Sequence, residues 1–230
     1  MPFPLPTLAR WLTDTLGEPQ PLVRPSARPV TRLALALEPG DLPAEPSAEL
    51  GADALFLHRS RGVGERWPGV GVLGVHDGFD LHLTTGPNWR LARVLGWQDV
   101  RQVEWERASG LIATPPQPTW QALRAALQRE LGGEDTSFPP ADLQAPRVAL
   151  MNAMRPGLLE QAADSGVTVY LTGQLRPAAV AAAQARGVGV IALGHRRTEE
   201  WGLRQLAREL KEAFPGLDTE VWSRGRRQRS

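Results

Sequence analysis

Residues 146–195, "PRVALMNAMRPGLLEQAADSGVTVYLTGQLRPAAVAAAQARGVGVIALGH", decide the fold class. The apolar runs in "PRVALMN", "VTVYLTG" and "VGVIALGH" are short and nearly continuous, as in strands buried on both faces. Between them "GLLEQAADSG" and "RPAAVAAAQARG" read as helices, and "TEEWGLRQLARELKEAF" closes the series as a third helix with Thr198 as its cap. Alternating strands and helices predict an α/β fold whose sheet is covered by helices.

Working outward, "TWQALRAALQREL" reads as a further helix, and the proline-rich break in "RASGLIATPPQPT" marks a boundary. The first half repeats the plan more loosely. A helix in "TLARWLTDTLGEP" is capped by Thr7 and ended by Gly17 and Pro19. The stretch "QPLVRPSARP" carries too much proline for regular structure. "VTRLALALEP" is a strand with Leu33, Leu35 and Leu37 on one side. A short helix stopped by Gly51 precedes the strand 54–57, "GVGVLGVH" is another strand, and "NWRLARVLGW" is a helix closed by Gly96. The expected architecture is two similar α/β lobes, residues 1–110 and 111–230, with no short-period repeat.

Composition narrows the chemistry. Hydrophobic residues make up 42% and charged ones 22% of the 230 residues, which marks a folded globular chain. The formal net charge of +1 points to neither nucleic acid nor membrane as a partner. Arg224, Arg226, Arg227 and Arg229 form a basic tail, read as a frayed terminus ahead of a nucleic-acid contact. With no cysteine, disulfides, thiolate metal sites and cysteine nucleophiles are excluded. No apolar stretch reaches the ~20 residues of a membrane span, and no signal peptide is recognisable, so a cytoplasmic protein is expected. "GVGERWPGVG" lacks the Gly-Lys-Ser/Thr of a phosphate-binding loop, and His58 with Ser60 lacks an orienting third group.

The four histidines carry the strongest signal. His58 ends the strand "ADALFLH", His76 ends "GVLGVH", His195 ends "VGVIALGH", and His82 lies six residues past His76 beside Asp80. Glu199 follows His195 by four residues. Ligand-binding groups of α/β sheets collect beyond the carboxyl ends of strands. A lone strand-end histidine more commonly serves structure, whereas imidazoles grouped with carboxylates suit zinc, iron, manganese or nickel. Spacing leaves both readings open. Thr172 and Gly173 end another strand, and the tryptophans read as core or interface aromatics.

The ensemble "ADALFLHR", "VHDGFDLHLTTGPNWRLARVLG", "VYLTGQ" and "ALGHRRTEEWGLRQL" resembles the GTP cyclohydrolase 1 type 2 homologues, the Nif-three-like dinuclear-metal proteins. The resemblance covers about residues 48–100 and 145–214 in the same order. It implies two related α/β lobes, metal ligation by His58, Asp80, His195 and Glu199, and His76 as a further ligand or supporting group. It also implies homo-oligomers, commonly ring-like hexamers. The family pattern has a second histidine where Arg59 stands, and a glutamate where Gln174 stands. The glycine-rich turn after "RVALM" is "NAMRP" here, the stretch from His58 to His76 is short, and "LVRPSARP" replaces a different loop.

The reading that follows is a divalent-metal-binding protein acting as a hydrolase, with GTP or another phosphorylated small molecule as substrate by resemblance. His76 or His82 would move the proton. A guanidinium at Arg59 offers no lone pair and adds a fixed positive charge, so at most one ion per chain is expected. The rival reading is a non-enzymatic metal-binding or structural oligomer that touches nucleic acid through its arginine tail.

Overall fold

The computed structural model describes residues 2–43, 50–224 and 226–228. In chain order, helix α1 (Leu5–Leu16) precedes strands β1 (Leu22–Arg24), β2 (Arg32–Ala36), β3 (Ala54–Leu57) and β4 (Gly71–Gly74). Helices α2 (Asp77–Leu83) and α3 (Trp89–Val94) lead to the hairpin of β5 (Gln98–Trp105) and β6 (Ala108–Thr114). Then come α4 (Trp120–Leu131), β7 (Thr136–Phe138), β8 (Val148–Met151), α5 (Pro156–Asp164), β9 (Val169–Thr172) and α6 (Pro177–Ala185). The chain closes with β10 (Gly189–Ala192), α7 (His195–Ala213), β11 (Asp218–Ser223) and β12 (Arg226–Gln228).

Two six-stranded sheets result, ordered β1-β4-β3-β2-β11-β12 and β5-β6-β8-β9-β10-β7. Each has a parallel centre with antiparallel margins. In the first, β4, β3, β2 and β11 run parallel; in the second, β8, β9 and β10 do. The fold is therefore mixed α/β with two helix-covered sheets, as the sequence predicts. The three apolar runs of 146–195 are the parallel strands of the second sheet, every residue buried.

Alternation along these strands explains the two-sided burial. Val148, Leu150, Val169, Leu171 and Ile191 face α3 and α4, packing with Leu91, Leu123 and Leu127. Ala149, Met151, Tyr170 and Val190 turn the other way, toward Leu158, Leu159, Ala179 and Ala183 of α5 and α6. In the first sheet Ala34 and Ala36 join Leu55, Leu57 and Trp67, while Leu33, Leu35 and Leu37 alternate with them and are equally buried.

Several sequence expectations need correction. Thr7 does not cap α1; the helix starts at Leu5 after Pro4, without a side-chain cap. The proline-rich 20–29 stretch contains β1, an edge strand on β4 that tolerates missing N–H donors. The expected boundary at "RASGLIATPPQPT" is strand β6, paired with both β5 and β8. The compact units are Met1–Phe79 with Gly202–Ser230, and Asp80–Trp201, not 1–110 and 111–230. The physical reason is β11, which returns to pair with β2 in the first sheet. Helix α7 begins at His195, with Thr198 inside it, its hydroxyl donating to the His195 carbonyl (2.8 Å). The tail is not wholly frayed: Arg226–Gln228 pair with β11. The short helix expected before Gly51 falls on residues 44–49, outside those described. Among the described residues no helix is long and apolar enough to cross a membrane.

Asn88 fixes the entry to α3. Its Oδ1 accepts the Leu91 N–H (3.0 Å), and its Nδ2 donates to the Thr84 carbonyl (2.8 Å), with the side chain wholly buried. Asn88→Ala removes a cap and strands a buried carbonyl, which costs about 2 kcal/mol. Urea unfolding should show a lower midpoint at unchanged slope, with Asn88→Ser partly restoring it.

Candidate metal centre

Two parallel strands of the first sheet end in histidines. The His58 backbone N–H continues the pairing beyond β3 by donating to the Ala36 carbonyl (3.1 Å). Its ring is buried, and Nδ1 lies 3.2 Å from the Val75 carbonyl oxygen. A carbonyl only accepts, so Nδ1 carries the hydrogen and the neutral ring has its lone pair on Nε2. His76 follows β4 and stacks on His58, ring centroids 4.9 Å apart and planes 3° apart. Its Nδ1 lies 2.7 Å from Asp77 Oδ1, which assigns the same tautomer to the neutral ring. Phe79 of α2, wholly buried, backs His58 at 4.5 Å between centroids.

Asp80 lies on α2, four residues past His76. The division between the compact units falls within this helix, directly after Phe79. One ligand atom each from His58, His76 and Asp80 lies within 4.8 Å of the others, and this is the one such group among the described residues. Two imidazoles and a carboxylate make the mixed nitrogen and oxygen set favoured by borderline divalent ions. Metal-binding histidines commonly donate their second N–H to a carboxylate or a carbonyl, and Asp77 and the Val75 carbonyl occupy those positions here. The residues present fit a divalent ion.

His195 and Glu199 form a separate pair in the second unit. At i,i+4 on the first turns of α7, His195 Nε2 is 3.1 Å from Glu199 Oε1, with Glu199 fully buried. The chain enters this helix through Gly194, whose φ of 92° is one that L side chains rarely adopt. A Cβ there would collide with the Arg197 guanidinium and with Asp135, which are paired at 2.8 Å. The glycine of "GH" is thus a backbone requirement of the turn that presents His195.

Arg59 lines a shallow cavity of about 470 Å³ with Glu38, Pro39, Arg61 and Arg66. His58, His76 and Asp80 are not among its lining residues. His82 lies on the last turn of α2, outside the triad. Partial burial, and then the nearby Arg90 charge, hold its imidazole below its ordinary value. Its folded-state value is thus below the unfolded one. The stability it contributes is complete above about pH 6.5 and is lost as pH falls further. His82→Gln should flatten that acid-side decline in a thermal-midpoint series; an unchanged slope would remove His82 from the account.

A cleft at the carboxyl ends of β8, β9 and β10 is lined by Asn152, Arg155, Thr172, Gln174, Arg176 and His195; the sequence singles out Thr172 and His195 as strand-end residues but neither arginine. The strand ends pointed there, but arginines and amides in loops follow no diagnostic spacing.

The fold and the triad define a mixed α/β protein with a candidate divalent-metal centre at the ends of adjacent parallel strands. A family model described as Duf34/NIF3 (NGG1p interacting factor 3) matches residues 68–226, and the chain belongs to that family. The match includes His76, Asp80, His195 and Glu199 and begins after His58. A GTP cyclohydrolase 1 type 2 homolog of Pseudomonas aeruginosa is 31% identical over 147 residues, covering 63% of this chain and 58% of that protein. One of Neisseria meningitidis serogroup A is 30% identical over 149 residues, covering 65% and 59%. The matched region thus spans less than two thirds of these relatives. Among solved structures, TTHA1606 from Thermus thermophilus matches with a TM-score of 0.68 at 23% identity, covering 94% of this chain and 96% of that one. Reduced HcgD from Methanocaldococcus jannaschii matches with a TM-score of 0.72 at 15% identity, covering 96% and 98%. These two likenesses bear on the fold alone.

Proposed function

We propose that this protein binds a divalent metal ion through His58, His76 and Asp80 and acts as a metal-dependent hydrolase on a small molecule. The observation that carries the reading is the triad itself, two imidazoles with anchored Nδ1 atoms beside a carboxylate. A divalent ion bound there would act as a Lewis acid and lower the pKa of a bound water to about 7. The chain's own contribution is orientation. Val75 and Asp77 fix the two rings, Phe79 covers one side of His58, and Asp80 supplies negative charge. His76 is over half exposed, which gives it access to solvent protons. His195 with Glu199 is the second donor pair that the resemblance assigns. The relatives named GTP cyclohydrolase 1 type 2 homolog make GTP the first substrate to try.

Elemental analysis of the purified chain, followed by hydrolysis assays with GTP and phosphorylated small molecules before and after chelation, tests the reading. Activity that appears only in the metal-loaded chain supports it. Absence of bound metal at saturating zinc, iron, manganese or nickel would end it.

A further inference from the structure

The cleft at the ends of β8, β9 and β10 has a donor set of its own. It is about 310 Å³ and lies within the second unit, lined from the three consecutive strand-to-helix connections. Among the described residues no aspartate or glutamate lines it, and its one imidazole, His195, has Nε2 3.1 Å from the buried Glu199 carboxylate behind the lining. Arg155 precedes α5, and its Nε is 3.1 Å from Glu106 Oε2, so its charge is partly spent. Arg176 precedes α6, lines the cleft, and makes no ion pair among the described residues. Its backbone is pinned where the N–H meets Met154 Sδ at 3.4 Å.

The neutral members add donors. Asn152 Oδ1 accepts the Ser109 N–H (3.1 Å), which leaves the side-chain NH₂ as the group it offers a ligand. Gln174 contributes a second amide, while the hydroxyl of Thr172, buried at the end of β9, donates to the Gln174 carbonyl (3.5 Å). Two guanidinium groups and two amides without an acid favour an anion with several acceptor oxygens over a cation or an apolar group. The size is at the lower end of the ~300–1,000 Å³ of small-molecule sites, enough for a phosphoryl group with a small attachment.

We infer that this cleft is a phosphoryl-binding subsite whose ligand is the phosphate monoester of a small molecule, with Arg176 as its principal charge and Gln174 as the residue that keeps it open to anions. This names the substrate class of the hydrolase proposed above and rests on that reading for catalysis, whereas binding itself requires no metal.

The test is calorimetric titration of the full-length chain with inorganic phosphate and with ribose 5-phosphate, in chelator and again with a divalent ion. Ribose 5-phosphate should bind at low ionic strength in both conditions. Arg176→Ala should weaken it about tenfold or more, with Arg176→Lys intermediate. Gln174→Glu, which adds a carboxylate at similar volume, should weaken it comparably. Arg61→Ala, a change of the same charge in the first unit, should leave it unchanged. Matching thermal midpoints would exclude unfolding as the cause. Binding that is undetectable in both conditions, or equal in wild type, Arg176→Ala and Gln174→Glu, would overturn the inference. Capture of inorganic phosphate without the ester would overturn the assigned substrate class. Retained ester binding in a chain that takes up no metal would overturn the metal reading alone.

Discussion

His76→Ala is expected to lower bound metal from near one ion per chain to a trace, with little change in stability. The two effects separate because His76 is exposed: its side chain is 55% accessible, so truncation leaves no core cavity. Its role in the triad is another matter. A binding site of two imidazoles and one carboxylate has no donor to spare, and a structural zinc site commonly needs four. Loss of an outer-shell partner alone costs ~10–100-fold in affinity, so loss of a ligand should exceed that range. Asp80→Asn should act similarly, since the amide keeps the shape but loses the charge that offsets a cation. His58→Ala is a poorer probe, because it also removes a buried ring packed on Phe79 and His76. His82→Ala is the control, since His82 is outside the triad. His195→Ala and Glu199→Ala ask whether the second donor pair contributes. Mass spectrometry of native, metal-loaded protein reads wild type and variants alike. Full occupancy in His76→Ala and Asp80→Asn would refute the assigned ligands, and two tightly bound ions in the wild type would refute the expectation of at most one.

The two imidazoles of the triad were legible because they stand at strand ends, and strand ends are where short apolar runs stop. His58 and His76 terminate neighbouring parallel strands β3 and β4 in matched register, Leu57 opposite Gly74, so sequence position translated directly into proximity. Asp80 came as a ligand only from the family resemblance, because the loop expected after His76 is in fact helix α2. The β5–β6 hairpin was not legible for the opposite reason. β5 is largely exposed and polar, so it lacks the alternation that marks a half-buried strand. Its turn uses Glu106 at φ 44° where the common signal would be Asn-Gly or Gly. The "PPQP" that follows β6 then drew the boundary to the wrong place. The division of the chain depends on β11 pairing with β2, a contact between residues far apart in the chain that no local pattern encodes. The start of α7 was displaced because Thr198 and Glu199 look like a helix start, while the turn is set by Gly194.

Gly78→Ala is expected to destabilise the chain and strip its metal together, against the ordinary rule for helices. In an exposed helix interior the change would gain up to ~1 kcal/mol, since alanine is the better helix former. Here α2 lies against the end of α1. A Cβ on Gly78 would penetrate the backbone carbonyl oxygen of Leu16 and come within 3.0 Å of its carbonyl carbon. Backbone cannot yield as a flexible side chain does, and α1 is fixed by Leu5, Leu8, Leu12 and Leu16, all buried. The strain therefore falls on α2. The next residue is Phe79, wholly buried against Phe56 and His58, and the one after it is Asp80. Displacing this turn opens the core and draws the carboxylate away from both imidazoles. Overpacking of this kind typically costs ~1–3 kcal/mol, and more when the obstacle is rigid. A net loss of about 2 kcal/mol lowers the thermal midpoint by roughly 4–8 °C in a chain of this size. Gly40→Ala is the matched control, because a Cβ there meets nothing within 4 Å. Differential scanning fluorimetry, run with and without added zinc, reads both effects. The metal-dependent rise of the wild-type midpoint should be absent or much smaller in Gly78→Ala. A Gly78→Ala chain with the wild-type midpoint and the wild-type response to zinc would show that α2 has room to move, and that the seating of Asp80 does not depend on its contact with α1.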